Sequence, residues 1–480
     1  MDRELTREVM PQSGLALMND RIGSSARTGV LEGQGNASKG EKEIKSLMRQ
    51  LTDTKARVTL DQDTRSVAAV ELVGIGKTAM EPLIGSLANP EREARRRAAW
   101  ALGEIRDGRA TIALAQALHD QDGFVRNAAG EALRKIGQLA VDALVAAIGC
   151  QEAGVRIVAV RALGGIGDPR AAERLAVAVK GDDPAVCRWA IWALGKIKDP
   201  RGVPALMGAL KDDDSRTREH ATWALGETGE PAVGALITAL GDESDETRGS
   251  AVRALAVIGK PAVAPLMAAL RDRNGFVRAN AAQAFGLIGR PDAVQALLPL
   301  MKDEDSLVRS CAAGALGKAA DARALDPLLA ALKDADPEVR RGAAEGLGRA
   351  KNLRAVEPLI RSLNDESPLV RRAAVDALGE LRDRRAVAPA IAALKDADRL
   401  VRLSAARALR QIKDPRAIEP LIEAMGDAYA AVGYEANGAL YEITGHKVGI
   451  QMGWGAPTIR TYRQPLWQRW WEENKAKFGK

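Results

Sequence analysis

The side chains best suited to acid-base or metal chemistry are few and scattered. His119, His220 and His446 are the only histidines, and they are far apart in the sequence. The three cysteines show no CxxC spacing, so they predict neither a disulfide framework nor a zinc site. Asp212, Asp213 and Asp214 lack the alternating ligands, the Gly and the terminal Glu of a calcium loop, which favours a solvated turn. We therefore expect no metal and no cofactor.

One short stretch could support proton transfer. His220 follows Glu219 and precedes Trp223 by three residues. A surface histidine is the simpler interpretation, and the sequence has no glycine-rich phosphate loop after a strand. We expect no catalytic activity.

Trp and Arg side chains show a regular spacing that indicates binding. Trp100, Trp192 and Trp223 each lie two residues before a repeated Leu, and Trp189 lies five residues before Leu194. Trp and Arg are enriched at binding hot spots, although Trp side chains that only fill gaps between helices are the alternative. The candidate binding residues are Arg96, Arg97, Trp100, Arg161, Arg188, Trp189, Trp192, Glu219, His220, Trp223 and Arg253.

A repeat of 30 or 31 residues positions these side chains. Each unit predicts two amphipathic helices, a first of the form VRxxAAxALGxI and a second of the form AVEPLIxAL. Asp-Pro pairs such as Asp168-Pro169 predict a capped joint between them. One Arg marks the register, at Arg65, Arg95, Arg126, Arg156, Arg218, Arg248, Arg278, Arg309, Arg340, Arg371 and Arg402.

These units resemble the HEAT superfamily, in particular the short HEAT-like repeats of the phycobilisome lyase type. The resemblance covers residues 62–445, about thirteen units with the last degenerate. It implies an all-α fold, a right-handed α-solenoid or superhelix, whose first helices line the concave face. The candidate Trp and Arg residues would then form one concave patch across repeats two to seven.

An Asp recurs six residues before the register Arg, as in Asp334 and Arg340. In repeat five both are replaced together, by Gly181 and Cys187. Paired loss is typical of a structural pair, so we expect an Asp/Arg ladder that ties adjacent loops and helices together.

The equivalent concave positions of repeats ten to twelve carry both charge signs. This mixture favours a solvated face, with a second binding site as the alternative. The residues are Arg341, Glu345, Arg349, Arg372, Asp376, Glu380, Arg407 and Gln411.

Charge is concentrated at one end of the chain. The formal net charge is +7, of which residues 446–480 contribute +5, while 62–445 contribute only +1. Duplex binding depends on many phosphate contacts, so the nearly neutral repeat array argues against a nucleic-acid partner.

The two ends differ from the array. Residues 1–40 are polar and without periodicity, which predicts disorder. Residues 41–61 predict a capping helix and a linker, and 446–480 a basic carboxy-terminal cap rich in Trp. A peripheral membrane or nucleic-acid anchor is the alternative for this tail.

Together these features predict a non-catalytic scaffold or adaptor that binds a protein partner on its concave face. No apolar run is long enough to cross a membrane and the amino terminus is charged, so we expect a cytoplasmic protein. Two alternatives are a phycobilin lyase-like chaperone of a chromophore-carrying protein, which would be an enzyme of the bilin-attaching type, and a nucleic-acid-binding HEAT-like module.

Overall fold

All regular structure in the described part of the chain is helical. The computed structural model describes residues 37–52, 66–289, 293–319, 321–446 and 463–478. These ranges contain paired helices and no strand, which confirms the predicted all-α solenoid. Residues 1–36, 53–65 and 447–462, and with them Arg65 and most of the predicted disordered segment, lie outside the described residues.

Helix α1 precedes the repeats, and α27 follows them. The repeats supply the other helices, first helices with even numbers (α2 to α26) and second helices with odd numbers (α3 to α25). Helix α1 is Ala37–Thr52 and α27 is Gln464–Asn474. The first helices, in order, are Val67–Ile75, Arg92–Ile105, Gly123–Ile136, Ala153–Ile166, Pro184–Ile197, Ser215–Thr228, Asp245–Ile258, Gly275–Ile288, Ser306–Ala319, Pro337–Arg349, Pro368–Leu381, Arg399–Ile412 and Ala430–Thr444. The second helices are Met80–Ser86, Thr111–Ala117, Val141–Ala147, Ala172–Val179, Val203–Ala209, Val233–Ala239, Val263–Ala269, Ala293–Leu297, Leu325–Ala331, Val356–Ser362, Val387–Ala393 and Ile418–Ala424.

Short 3-10 turns join the two helices of most repeats. Asp168 accepts a hydrogen bond from the Arg170 N–H at 2.9 Å, and Asp199 accepts one from the Arg201 N–H at the same distance. Pro169 occupies the first turn, where its missing N–H removes no bond. The predicted Asp-Pro joints are therefore confirmed. The 3-10 turns are Gly76–Ala79, Gly108–Ala110, Gly137–Ala140, Pro169–Ala171, Pro200–Gly202, Glu230–Ala232, Lys260–Ala262, Leu298–Lys302, Ala322–Ala324, Leu353–Ala355, Arg384–Ala386, Pro415–Ala417 and Lys475–Lys477.

Small residues bring the first helices close together. A Cβ built on Gly103 would lie 2.6 Å from the Cα of Ala132 in the next repeat, so only Gly permits this approach. First helices of successive repeats pack on one another much more extensively than second helices do. Helices on the inner side of a curved stack are the closer ones, so this packing agrees with the expectation that the first helices line the concave face.

Arginine side chains bridge neighbouring repeats. Arg309 donates from Nε and Nη2 to the carboxylate of Asp334 at 2.9 and 3.0 Å. Its Nη1 donates to the backbone carbonyl of Asp303, six residues earlier. The predicted ladder is present, but its carboxylate partner lies in the following repeat, 25 residues later. The bridges of this kind are Arg95–Asp120, Arg278–Asp303, Arg309–Asp334, Arg340–Asp365, Arg371–Asp396 and Arg402–Asp427.

The ladder is interrupted in the middle of the array. At the five junctions from repeat three to repeat eight, the described side chains form no two-bond bridge of this kind. Three junctions lose a partner, because Cys150 and Gly181 replace Asp and Cys187 replaces Arg. At the other two, Arg218 and Arg248 begin 30-residue steps, which are one residue shorter than the 31-residue steps of every bridged junction between register arginines. These repeats are held together without the Arg–Asp bridges.

The terminal helices both contact the array. In α1, Leu51 is fully buried, and its backbone carbonyl accepts a hydrogen bond from Arg97 at 3.0 Å. This helix begins at Ala37, so it extends into the segment predicted to be disordered. In α27, Trp467 is 1% exposed and its Nε1 donates to the side chain of Asn437 at 3.0 Å.

A membrane-spanning helix must be both long and apolar. No single helix among the described residues is long and apolar enough to cross a membrane. One pair, Asp245–Ile258 with Lys260–Ala269, reaches the required length and hydropathy, but its two helices are bent by 117°.

Candidate functional site

The centre of the candidate site is an aromatic pair beneath an arginine. Trp189 and Trp192 lie one turn apart on α10 and meet edge to face, with ring centroids 5.5 Å apart and an interplanar angle of 85°. The guanidinium carbon of Arg161, on α8 of the preceding repeat, is 5.1 Å from the Trp189 ring centroid. This geometry is typical of a cation–π contact. We call these three residues the Arg161 cluster.

The Arg161 cluster is partly open to solvent. All three side chains are half-buried, and the Arg161 guanidinium also donates to the side chain of Asn127 at 3.4 Å. Burial lowers the pKa of Arg161 from its ordinary value. The cluster thus presents aromatic faces and a partly dehydrated cation on the concave side, which suits a planar or anionic group of a partner.

Two of the Trp residues also have a packing role. A Cβ built on Gly164 would be 2.5 Å from Cζ3 of Trp192, and one on Gly195 would be 3.1 Å from Cζ3 of Trp223. Each ring therefore rests on the Gly of the ALG sequence in the preceding repeat. Packing and exposure are combined in the same side chains, so the two sequence interpretations are not mutually exclusive.

Sequence reasoning did not identify Lys196 as a neighbour of Trp223. Its Nζ lies 5.1 Å from the ring centroid, so a second cation–aromatic contact adjoins the Arg161 cluster. The signal was available, because Lys196 follows Trp192 by four residues and the two share a helix face.

Charged side chains lie near His220. Arg188 is 3.8 Å from the carboxylate of Asp214, and Glu219 is exposed. His220 is half-buried, and its buried Nδ1 has no hydrogen-bond partner among the described atoms. Burial, and then the charge of Arg188, lowers the pKa of His220. A neutral imidazole without a carboxylate partner fits a contact residue better than a general base.

The remaining candidate residues lie apart from this centre. Arg97 is committed to the Leu51 carbonyl of α1, because its side chain reaches the helix that precedes the repeats. Arg96 pairs with Glu93 at 2.7 Å, and Arg253 donates to Ser250 within its own helix. Trp100 packs on the core in a half-buried position. No contact among the described side chains joins these four residues to the Arg161 cluster.

A second feature of the concave face is a groove across α20, α22 and α24. Its volume is about 720 Å³, and all eight residues predicted to form a solvated face line it. The other lining residues were not identified from the sequence; they are Glu338, Leu369, Ala373, Ala377 and Ala408. The groove arises from the curvature of three repeats, which a linear pattern does not show.

Among the residues that the structure describes, no group of three or more His, Cys, Asp or Glu side chains could hold a metal ion. Cys187 is buried and donates to the Val179 carbonyl at 3.1 Å, while burial raises the pKa of Cys311 to about 11.

The repeats match a known protein family. The family model described as HEAT repeats matches six segments, which are residues 54–134, 141–226, 203–284, 263–347, 325–396 and 356–441. No curated protein matches the sequence.

Solved structures share the architecture at low identity. Kap121p is 13% identical with a TM-score of 0.48, over 85% of this chain and 54% of that one. Yeast importin-beta (Kap95p) is 14% identical with a TM-score of 0.45, over 86% and 71%. An engineered protein is 23% identical with a TM-score of 0.32, over 76% and 98%. The chain spans about half the length of Kap121p.

Proposed function

The chain belongs to the HEAT-repeat family, and from this premise we propose that it is a non-catalytic scaffold that binds a protein partner on its concave face. A solenoid offers a long continuous surface, and the first helices supply it here. The proposal needs no cofactor, since contacts of Trp and Arg side chains can provide the binding energy.

The Arg161 cluster is the observation that carries this proposal. Its two Trp rings meet at 5.5 Å, and Arg161 lies 5.1 Å from one of them. These side chains are half-buried, so part of each ring and of the guanidinium is accessible to a partner. Rigid aromatic rings beside a partly dehydrated cation form the kind of centre around which protein interfaces are built.

Affinity capture with matched variants tests the scaffold function. Trp189→Ala is preferred to Trp192→Ala, because Trp192 also packs on Gly164. We expect Trp189→Ala and Arg161→Ala each to reduce recovery of a specific partner from native lysate by about tenfold, a change of about 1.4 kcal/mol. Trp471→Ala, on the distant helix α27, is the matched control. Equal recovery by wild type and both concave variants would refute the role of this cluster.

We further propose that the repeats are of the short phycobilisome lyase HEAT-like type. The regular spacing of 30 or 31 residues supports this assignment. The subtype does not determine the function, because one kind of repeat serves many roles. Co-expression with a bilin distinguishes a lyase-like chaperone from a scaffold. Chromophore absorbance that copurifies with the protein would favour the chaperone, and its absence would favour the scaffold.

A further inference from the structure

Two short rows of opposite charge line the groove in repeats ten and eleven, whereas Leu403 and Arg407 take the corresponding registers in repeat twelve. Arg341 and Arg372 occupy equivalent positions in successive first helices and form a basic row. Glu345 and Asp376 lie four residues later, one helical turn along, and form an acidic row. A ligand that runs along the solenoid axis would meet both rows at once.

The groove charges are only partly neutralised within the protein. Arg372 is 3.8 Å from Asp376, and Arg349 is 3.9 Å from Glu345, beyond hydrogen-bonding distance. Among the groove arginines that the structure describes, Arg341 makes short bonds to carboxylates, of 2.7 Å to Glu338 and 2.5 Å to Glu345 in the acidic row.

A neighbouring arginine is fully hydrogen-bonded to a carboxylate. Arg340 binds Asp365 through two hydrogen bonds of 2.7 and 2.9 Å, one residue away from Arg341 in the sequence. Arg372 and Arg349 therefore retain donors that a partner carboxylate could use.

The carboxylates are also incompletely compensated. Burial raises the pKa of Asp376 above its ordinary value, and a hydrogen bond from Ser404 and the charge of Arg372 offset this only in part. Burial likewise raises the pKa of Glu380, with Arg349 as the main opposing charge. An ammonium or guanidinium group placed beside these carboxylates would relieve the cost of their burial.

We propose that this groove binds a segment of a protein partner that carries a row of carboxylates beside a row of cationic side chains. The carboxylates would face Arg341 and Arg372, and the cations would face Glu345 and Asp376. Four arginines and four acidic side chains line the groove, so it has no net charge. A segment with both signs can place a carboxylate beside Arg372 and a cation beside Asp376 at the same time, and for this reason we favour it.

This inference rests on the proposed scaffold function, since it concerns a second contact with a protein partner. The groove lies in repeats ten to twelve, whereas the Arg161 cluster lies in repeats four and five. A test with synthetic peptides does not require the natural partner. A negative result with the peptides would contradict the groove proposal but not the role of the Arg161 cluster. A negative capture result would contradict the role of the cluster but not the groove proposal.

Three labelled helical peptides test the groove by fluorescence anisotropy at low ionic strength. The first has a Glu stripe beside a Lys stripe, the second has the same composition in scrambled order, and the third has Lys in both stripes. We expect wild type to bind the striped peptide about tenfold more tightly than the scrambled one, a difference typical of charge complementarity. Equal binding of these two peptides would overturn the proposal.

Reversing the charge of the basic row should change which peptide the protein binds best. Arg341→Glu/Arg372→Glu should lose the preference for the striped peptide and bind the all-Lys peptide about tenfold more tightly than wild type does. The matched control is Lys333→Glu/Arg361→Glu, which changes the charge equally at exposed positions outside the groove lining. If the groove variant behaves like this control, the proposal is wrong. If circular dichroism shows that Arg341→Glu/Arg372→Glu is misfolded, Arg341→Gln/Arg372→Gln replaces it. This variant should also lose the preference for the striped peptide.

Discussion

Arg340 and Asp365 belong to different repeats, yet they are joined by two hydrogen bonds of 2.7 and 2.9 Å. The Nη1 of Arg340 also donates to the backbone carbonyls of Asp334 and Ala335, and the guanidinium is almost fully buried. One side chain therefore satisfies a loop of its own repeat and the carboxylate of the next, which makes it a structural joint.

Removal of this joint should destabilise the array. Arg340→Ala leaves a partly buried carboxylate and two carbonyls without their donor, at an expected cost of about 2 kcal/mol. Arg341→Ala is the matched control, because Arg341 is more exposed and bonds only to side chains of its own helix. We expect urea denaturation to show a clearly lower midpoint for Arg340→Ala than for Arg341→Ala. Equal midpoints would contradict the structural role.

The ladder should also make stability depend on acid pH. Hydrogen bonds from Arg371 lower the pKa of Asp396, so in acid the unfolded state binds more protons than the folded state. This contribution is fully present above the ordinary Asp pKa of about 4 and is lost as the pH falls through the lower pKa of the folded protein. Denaturation midpoints measured from pH 5 downwards should decline. The decline should be shallower in Arg371→Met, and an identical slope would argue against the bridge.

Gly164 should tolerate no side chain. In Gly164→Ala the new Cβ would meet Trp192 and the Ala193 backbone, so we expect a loss of about 1–3 kcal/mol. The emission of Trp192 should change as its ring is displaced. Gly314→Ala is the control, because nothing lies within 4 Å of a Cβ at this helical position, and a gain of about 0.5–1 kcal/mol is expected. Similar thermal denaturation of both variants would show that Trp192 does not rest on Gly164.

The carboxy-terminal helix offers a further prediction. Trp467 is buried against repeat thirteen, so Trp467→Ala should weaken local stability by about 3–5 kcal/mol. Amide exchange in α26, which carries Asn437, should accelerate. Trp471, on the same helix, is only half-buried, and Trp471→Ala serves as the control. If exchange is unchanged while binding to anionic vesicles is lost, α27 is an anchor and not a cap.

Much of the fold could be predicted because the residues of each repeat mark its register. The recurring Arg, the ALG sequence and the Asp-Pro joints fix the helix pairs locally. The carboxylate partner of each Arg could not be fixed in this way, since a separation of six residues and one of 25 both recur in the units that form the bridges. Only the stacking of repeats shows that the side chain of Arg309 reaches forward to Asp334.

The candidate site was less predictable, for a similar reason. The register of Trp189 and Trp192 could be found from the spacing, but the contact between Trp192 and Gly164 joins two repeats. Arg97 shares its register with Trp189, yet it contacts α1, because it lies near the start of the array. The groove residues were recognised as mixed charges, whereas the volume they enclose depends on curvature.

The interrupted Arg–Asp ladder divides the solenoid into segments of unequal stiffness. From Arg278 to Asp427 every junction is clamped by a two-bond bridge, so this segment should move as a rigid lever arm. Between repeats three and eight the junctions lack this bridge, so we expect deformation of the superhelix to cost less free energy there. The Arg161 cluster lies within the compliant segment and the charged groove in the rigid one. If one partner binds at both sites, we expect the pitch of the superhelix between them to change.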